Sequence, residues 1–262
     1  MKRPEPLPMD IRLMQLTSQM LLVLAVTVCL AWGLAWLARL PMFTLQAITV
    51  EGEVTRNNAL TLRTNVVPKL SGNFFTIELD QVREAFEAVP WVRVVIVHRE
   101  FPNRLRVHLL EQQPAALWGD EGSSQMVNQQ GEVFEANLGE VEADALPRLM
   151  GPASASARVL EMYRQLQAVL AASDIDIERL ELSPGGSWRL LTHAGAVIEL
   201  GRGEIQEVRS DLQQFLRTLP QVAARYGRTP KALAAADLRH KDGYALRLHG
   251  VSTTEGDPRR KS

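Results

Sequence analysis

The chain has 262 residues, of which 46% are hydrophobic and 23% are charged, and this composition excludes a wholly disordered protein. The formal net charge is −1 and the basic residues form no dense stripe, so we expect no nucleic-acid binding. The single cysteine, Cys29, excludes a disulfide within the chain and a metal cluster built on cysteines.

An apolar run near the N-terminus predicts a membrane-spanning helix over residues 20–40. No acidic or basic side chain lies between Arg12 and Arg39, and about 20 apolar residues suffice to cross the hydrocarbon core. The basic residues before the run place residues 1–19 in the cytoplasm and the body of the chain outside. A cleaved signal peptide is the alternative, although its apolar region is usually shorter. The side chains expected to contact lipid are Leu21, Leu22, Leu24, Val28, Leu30, Trp32 and Trp36.

The segment that follows has the pattern of a small α+β domain. Alternation and β-branched residues predict a strand at Gln46–Glu51. Two helices are predicted next, the second with Asp80 as its N-cap. Trp91–Arg99 and Arg104–Glu111 predict two further strands. The order β-α-α-β-β implies that two helices cover one face of a sheet.

The rest of the chain predicts a second domain that mixes helices with short strands. Amphipathic periodicity predicts two helices, of which the second covers Glu204–Leu219. Leu146–Pro152 is rich in residues that break regular structure, so it is predicted as a connection. Short segments separated by glycine and proline predict the strands.

The C-terminal part of this domain predicts a β-hairpin. Ala234–His240 pairs with Tyr244–His249 around Asp-Gly, which is a strong hairpin signal. Tyr244, Leu246 and Leu248 fall on one face of the last strand, and Ala245, Arg247 and His249 fall on the other. The polar residues 251–262 predict a disordered tail.

Several segments resemble the POTRA domain and the FtsQ/DivIB family of bacterial division proteins. In family order they are SGNFFTIEL (Ser71–Leu79), VPWV (Val89–Val92), FPNRLRVHLLEQQPAALW (Phe101–Trp118), VNQQGEVF (Val127–Phe134), LPRLMGP (Leu146–Pro152), LSPGGSWRLLTHAGAVIELGRGE (Leu182–Glu204) and ADLRHKDGYALRL (Ala236–Leu248). The resemblance spans about residues 20–250. It implies an α+β protein with one transmembrane helix, a POTRA domain over residues 42–112 and a β domain with a large antiparallel sheet over residues 113–250.

The resemblance also implies a function: a scaffold of the division septum, anchored in the bacterial inner membrane with a periplasmic body. It implies FtsB and FtsL as the chief partners, and FtsK, FtsW, FtsI and FtsN as further ones. It places the FtsB contact on the last strand of the β domain and on its neighbour. The residues expected there are Leu238, Arg239, His240, Tyr244, Ala245, Leu246, Arg247 and Leu248.

The residues themselves suggest how such a contact forms. If the last strand is a sheet edge, a partner segment can add beside it through main-chain hydrogen bonds. Arg239 and Arg247 are then expected to bind acidic partner residues. The alternative is that Leu238 and Leu246 are ordinary core residues and that the arginines are solvated.

A second partner surface is expected on the first domain. Ile48 and Val50 on its first strand, together with Arg56, are the residues predicted to contact a septal translocase such as FtsK. The alternative is that this domain is a spacer that lifts the next one off the membrane.

The sequence offers no catalytic motif. The five histidines are scattered without an HExxH pattern, and no GxSxG, P-loop or complete dinucleotide fingerprint occurs. We therefore predict a protein that is not an enzyme and has no metal, cofactor or small-molecule substrate. A POTRA-bearing secretion or envelope assembly factor is the alternative function. Such proteins normally carry many alternating membrane strands, a pattern that the residues after 112 do not show.

Overall fold

The computed structural model describes residues 9–52, 55–56, 59–240 and 243–251. Apart from Val251, the tail predicted over residues 251–262 lies outside the described residues. The chain divides into two compact units, Met1–Glu111 and Gln112–Ser262.

The first unit opens with one long helix, α1 (Met9–Ala38). Within it, Met14–Leu37 is long and apolar enough to cross a membrane, and none of it is buried by the rest of the chain. The seven side chains predicted to contact lipid all lie in this stretch and are exposed. The helix begins before residue 20, so it includes part of the predicted cytoplasmic tail. The helix pairs its own backbone N–H and C=O groups, which a segment crossing the hydrocarbon core requires.

The remainder of the first unit confirms the order β-α-α-β-β. Its elements are β1 (Ala47–Gly52), α2 (Ala59–Val66), α3 (Leu79–Glu87), β2 (Val92–Glu100) and β3 (Arg104–Glu111). The sheet order is β1-β3-β2, with β1 parallel to β3 and β2 antiparallel to it. Val82 and Phe86 of α3 pack with Leu105, Val107 and Leu109 of β3 in one core.

The start of α3 differs by two residues from the prediction. Glu78 is the N-cap residue because its backbone is extended, and the helix begins at Leu79. Asp80 instead lies in the first turn, where its Oδ1 is 3.2 Å from Nη1 of Arg83. An acidic side chain in this turn also interacts favourably with the helix dipole.

The described residues of the second unit form nine strands and two α-helices. These are β4 (Pro114–Trp118), β5 (Gln125–Asn128), β6 (Val133–Glu135), β7 (Arg148–Met150), α4 (Ser156–Ala171), β8 (Ile177–Leu182), β9 (Ser187–Thr192), β10 (Val197–Arg202), α5 (Ile205–Arg225), β11 (Leu233–Asp237) and β12 (Ala245–Leu248). They form one sheet in the order β12-β11-β10-β9-β8-β7-β4-β5-β6. The sheet is mixed rather than antiparallel throughout, because β4–β7, β7–β8 and β10–β11 are parallel pairs.

Two elements of this unit differ from their predictions. Arg148–Met150, predicted as a connection, is strand β7 between β4 and β8. Its three residues are too few to show a period, and only Leu149 is fully buried. Helix α5 continues through Pro220 to Arg225, beyond the predicted end at Leu219, and burial of Ala223 shows that its packing continues past the proline.

The large sheet buries one face under α4 and α5, and charged side chains lie on the other face. Leu212 and Phe215 of α5 share a core with Trp188 and Leu190 of β9. On the other face, Arg189 Nε lies 2.7 Å from Glu199 Oε1. The helices therefore cover one side of the sheet, and they reach as far as its β12 end, as the contacts of Tyr244 show below.

Candidate partner-binding site

The last strand, β12, is the outermost strand of the nine-stranded sheet. It pairs antiparallel with β11, with Ala236 opposite Leu246 and Asp237 opposite Ala245. Among the described residues, no strand pairs with its other side. An edge strand presents unpaired N–H and C=O groups that a strand of another chain can complete.

The direction of these main-chain groups follows from one hydrogen bond. The N–H of His249 donates to the carbonyl oxygen of Ala232 at 2.8 Å, so it points toward β11. Successive residues of a strand alternate in the side to which they direct their N–H and C=O groups. The N–H groups of Arg247 and Ala245 therefore point toward β11, and those of Leu248 and Leu246 point outward. The bulge between Leu233 and Ala235 lies on β11 and does not change this alternation along β12.

The side chains of β12 alternate between the core and the solvent. Leu248 is buried and Leu246 is half-buried, whereas Ala245 and Arg247 are exposed. Leu238, which follows β11, is buried as well. The side chains of Leu238 and Leu248 thus belong to the core, and a chain added at the edge would meet the backbone of Leu248 rather than its side chain.

Tyr244 fixes the start of β12 to helix α5. Its hydroxyl lies 2.7 Å from Oγ1 of Thr218, and its ring meets Phe215 edge-on with the centroids 4.9 Å apart. Both partners are on α5. Tyr244 is therefore a residue that positions the edge.

The two arginines of the predicted site differ in their surroundings. Arg239 binds the carboxylate of Asp237 twice, through Nε to Oδ1 at 2.9 Å and through Nη2 to Oδ2 at 2.6 Å. Arg247 forms no ion pair with any residue in the described part of the chain. His240 is exposed, and the next two residues of the predicted turn, Lys241 and Asp242, lie outside the described residues. Arg247 is thus the arginine of the edge available to an acidic partner residue.

The hydrogen bond from the Arg239 side chain lowers the pKa of Asp237 to about 2. Because this pKa is below the usual carboxyl value of about 3.9, the pair stabilises the fold fully above about pH 4 and loses its contribution as the pH falls toward 2. We expect the side-chain carboxyl carbon of Asp237 to titrate near pH 2 by NMR. In Arg239→Gln the midpoint should rise toward the usual value, and an unchanged midpoint in that variant would refute the pairing.

The first unit has an open edge of its own, at β1. A groove of about 860 Å³ runs beside this strand, and Ile48 and Val50 line it together with Leu62 and Val66 of α2. Arg56 lies away from the lining of this groove: its guanidinium carbon is 4.5 Å from the centroid of the Trp91 ring. The structure therefore brings together only two of the three residues predicted for the second surface.

Sequence reasoning missed the residues that support the β12 edge. Thr218 and Phe215 were visible only as one face of a helix, and the sequence does not show which strand that face meets. Asp237 offered a usable signal, because opposite charges at positions 237 and 239 point to the same side of an extended segment. No group of three or more His, Cys, Asp or Glu that could hold a metal occurs among the described residues.

Two family models match most of the chain beyond the long helix. The model of the FtsQ-type POTRA domain matches residues 43–112. The model of the C-terminal part of cell division protein FtsQ/DivIB matches residues 116–239.

Curated relatives cover more than nine-tenths of the chain. The chain is 40% identical over 250 residues to the cell division protein FtsQ of Thiomonas arsenitoxydans, with 95% of this chain and 91% of the relative covered. It is 38% identical to FtsQ of Bordetella pertussis, with 91% and 92% covered, and 37% identical to FtsQ of Burkholderia pseudomallei, with 92% and 94% covered. These similarities favour the division protein over the secretion factor that the sequence left open. The chain belongs to the FtsQ/DivIB family of cell division proteins.

Proposed function

We propose that this chain is a non-catalytic scaffold of the division septum, anchored in the inner membrane, and that it holds FtsB, and FtsL with it, by accepting a strand of FtsB beside β12. The family and the apolar helix α1 support a membrane-anchored division protein. The observation that carries the binding mode is the position of β12 at the end of the sheet order.

The arrangement at β12 suits capture by strand addition. The outward N–H groups of Leu246 and Leu248 supply main-chain donors that depend little on the partner's sequence. Exposed Ala245 and Arg247 flank them and provide side-chain selectivity. Tyr244 holds the strand on α5, so the edge is ordered before the partner arrives and less entropy is lost on binding.

We propose a topology in which the residues before the apolar stretch are cytoplasmic, and the chain from β1 onward, including the second unit, is periplasmic. The apolar stretch Met14–Leu37 provides the span, and Arg12 together with the basic residues near the N-terminus favours the cytoplasmic side. The helix is retained as an anchor in this proposal, because its apolar part is longer than that of a typical signal peptide.

Site-specific photocrosslinking in dividing cells tests this function. A photoreactive residue at Ala245 or Arg247 should capture FtsB. The matched control is Glu135, which is exposed on β6 at the opposite edge of the same sheet. Equal capture from both edges, or capture from β6 alone, would refute the proposed site.

Reversing the charge of Arg247 should weaken FtsB binding more than reversing that of Arg239. Arg247→Glu removes a cation without an internal partner, whereas Arg239 already binds Asp237. A close charge pair across an interface is worth about 1.5 kcal/mol or more, so we expect at least about tenfold weaker binding for Arg247→Glu. Titration calorimetry in detergent measures both variants, and a larger loss for Arg239→Glu would contradict this assignment.

We also propose that the β1 edge binds a segment of another septal protein, for which FtsK is the first candidate and FtsW, FtsI and FtsN are further ones. The apolar groove lined by Ile48 and Val50 beside an unpaired strand edge supports a contact of this kind. A photoreactive residue at Thr49, which is exposed on β1, should capture this partner. Capture of FtsB alone from this position would contradict the division of roles between the two edges.

A further inference from the structure

A cluster of exposed apolar side chains lies at one end of the first unit. We call Met42, Phe43, Phe75 and Phe101 the aromatic base. Met42, Phe75 and Phe101 expose 55%, 49% and 72% of their surface. Large exposed side chains grouped in this way mark an interaction surface.

The aromatic base is an ordered structure. The Phe43 and Phe75 rings meet with their centroids 4.7 Å apart, and the buried Phe74 meets Phe75 and Phe101 edge-on at 5.2 and 6.0 Å. The N–H of Phe74 donates to the carbonyl oxygen of Phe43 at 2.9 Å. Three segments distant in sequence are thereby held together.

The base lies at the end of the three-stranded sheet where β1 begins, shortly after α1 in sequence. The chain leaves α1 at Ala38 and enters β1 at Ala47. Because β1 is parallel to β3 with Ala47 opposite Arg104, the turn between β2 and β3 lies at the same end of the sheet. Phe101 is in that turn. The N–H of Gln46 donates to the carbonyl oxygen of Asn103 at 3.0 Å, which ties the segment after α1 to this turn.

The length of the connection keeps the base close to the membrane span. Met42 lies five positions after Leu37, the last residue of the apolar stretch. At a maximum of about 3.6 Å per residue, the two lie at most about 18 Å apart. The headgroup layer on one side of a bilayer is about 5–8 Å thick, so the base is within reach of the lipid surface.

The charges around the base fit a lipid surface as well. Arg39 and Arg104 are exposed on either side of the base in sequence. Glu100, the acidic residue next to Phe101, is held by Arg106, whose Nη2 lies 2.7 Å from its Oε1. Exposed arginines beside aromatic side chains are typical of segments that lie at the interface between headgroups and acyl chains.

We infer that the aromatic base inserts into the headgroup layer of the phospholipid membrane that α1 spans, and that it seats the sheet formed by β1, β2 and β3 on that membrane. This contact is independent of FtsB capture, since the base belongs to the first unit and β12 to the second. This contact fixes the distance of that sheet from the bilayer.

Fluorescence quenching of the full chain in vesicles tests this inference. In a Cys29→Ser background, Phe101→Cys or Phe75→Cys carries a fluorophore, and Leu110→Cys is the control. Leu110 is an exposed apolar residue of the same sheet. Leu110 lies six residues along β3 from Arg104, which begins the strand beside the base. This spacing places Leu110 about 20 Å from the base end of the sheet. The vesicles are phosphatidylethanolamine and phosphatidylglycerol, with or without a nitroxide near the headgroup end of the acyl chain.

We expect the nitroxide lipid to reduce the fluorescence at positions 101 and 75 at least about twofold, as for a side chain buried 5–10 Å in the interface, with little change at position 110. Soluble iodide should quench position 110 more strongly than the other two. Equal lipid quenching at all three positions would overturn the inference. Protection of positions 101 and 75 from iodide without lipid quenching would also overturn it, because it would mean that protein covers the base. Free access of iodide to these two positions would overturn it as well.

Discussion

Leu246→Pro should weaken FtsB capture at least tenfold and leave the second unit folded. The N–H of Leu246 points away from β11, so proline removes a donor that serves only the incoming strand. A partner carbonyl left without its donor costs about 1–3 kcal/mol, and about 1.4 kcal/mol corresponds to a tenfold loss of affinity. The fold should tolerate the change because proline is accepted on edge strands where the N–H faces outward.

Leu246→Val is the matched control for this experiment. It keeps the N–H and a similar apolar side chain, so its affinity should stay near that of the parent chain. Pull-down titrations with FtsB give the affinities, and thermal unfolding followed by circular dichroism checks the fold of each variant. Parent-like capture by a folded Leu246→Pro chain would show that strand addition at β12 is not how FtsB binds.

Phe215→Ala should strongly destabilise the second unit. Phe215 is 1% exposed, packs in the main core and supports the ring of Tyr244. Truncating a buried phenylalanine costs about 3–5 kcal/mol. Because α5 holds the start of β12 through the contact of Tyr244 with Thr218, the truncation should also destabilise the edge strand β12. Capture of FtsB should fall with it.

Tyr226→Ala serves as the control on the same helix. Tyr226 is the C-cap residue of α5 and is half exposed, so its truncation should cost less than about 0.5 kcal/mol. Amide hydrogen exchange measures the opening free energy of α5 and β12 in both variants. If Phe215→Ala leaves the exchange of β12 unchanged, the helix does not support the edge.

The sequence predicted well those elements whose signal is local. The inner face of α5 follows from the spacing of six apolar residues. The structure buries Val208, Leu212, Phe215 and Leu219 and leaves Ile205 and Leu216 half-buried. The β-α-α-β-β order of the first unit is confirmed for the same reason. Strand β7 could not be predicted, since its burial depends on neighbours supplied by β4 and β8, which are distant in sequence.

The candidate site was less predictable than the fold. Alternation along the last strand predicted that Leu248 and Arg247 point to opposite faces of the sheet, and the burial of Leu248 and the exposure of Arg247 agree with it. The pairing of Arg239 with Asp237 was not predicted, although the opposite charges two positions apart were visible in the sequence. The position of β12 at the sheet edge depends on the order of all nine strands. Hydrophobic pattern alone does not specify that order.

Hydrogen exchange at single amides of β12, with and without FtsB, tests the central claim most directly. The account predicts that FtsB slows exchange at Leu246 and Leu248 at least about tenfold, because their N–H groups gain main-chain acceptors. The amides of Ala245 and Arg247, already directed to β11, should change less, and those of β6 should not change. Unaltered exchange at Leu246 and Leu248 in a saturated complex would contradict the claim that FtsB completes this edge.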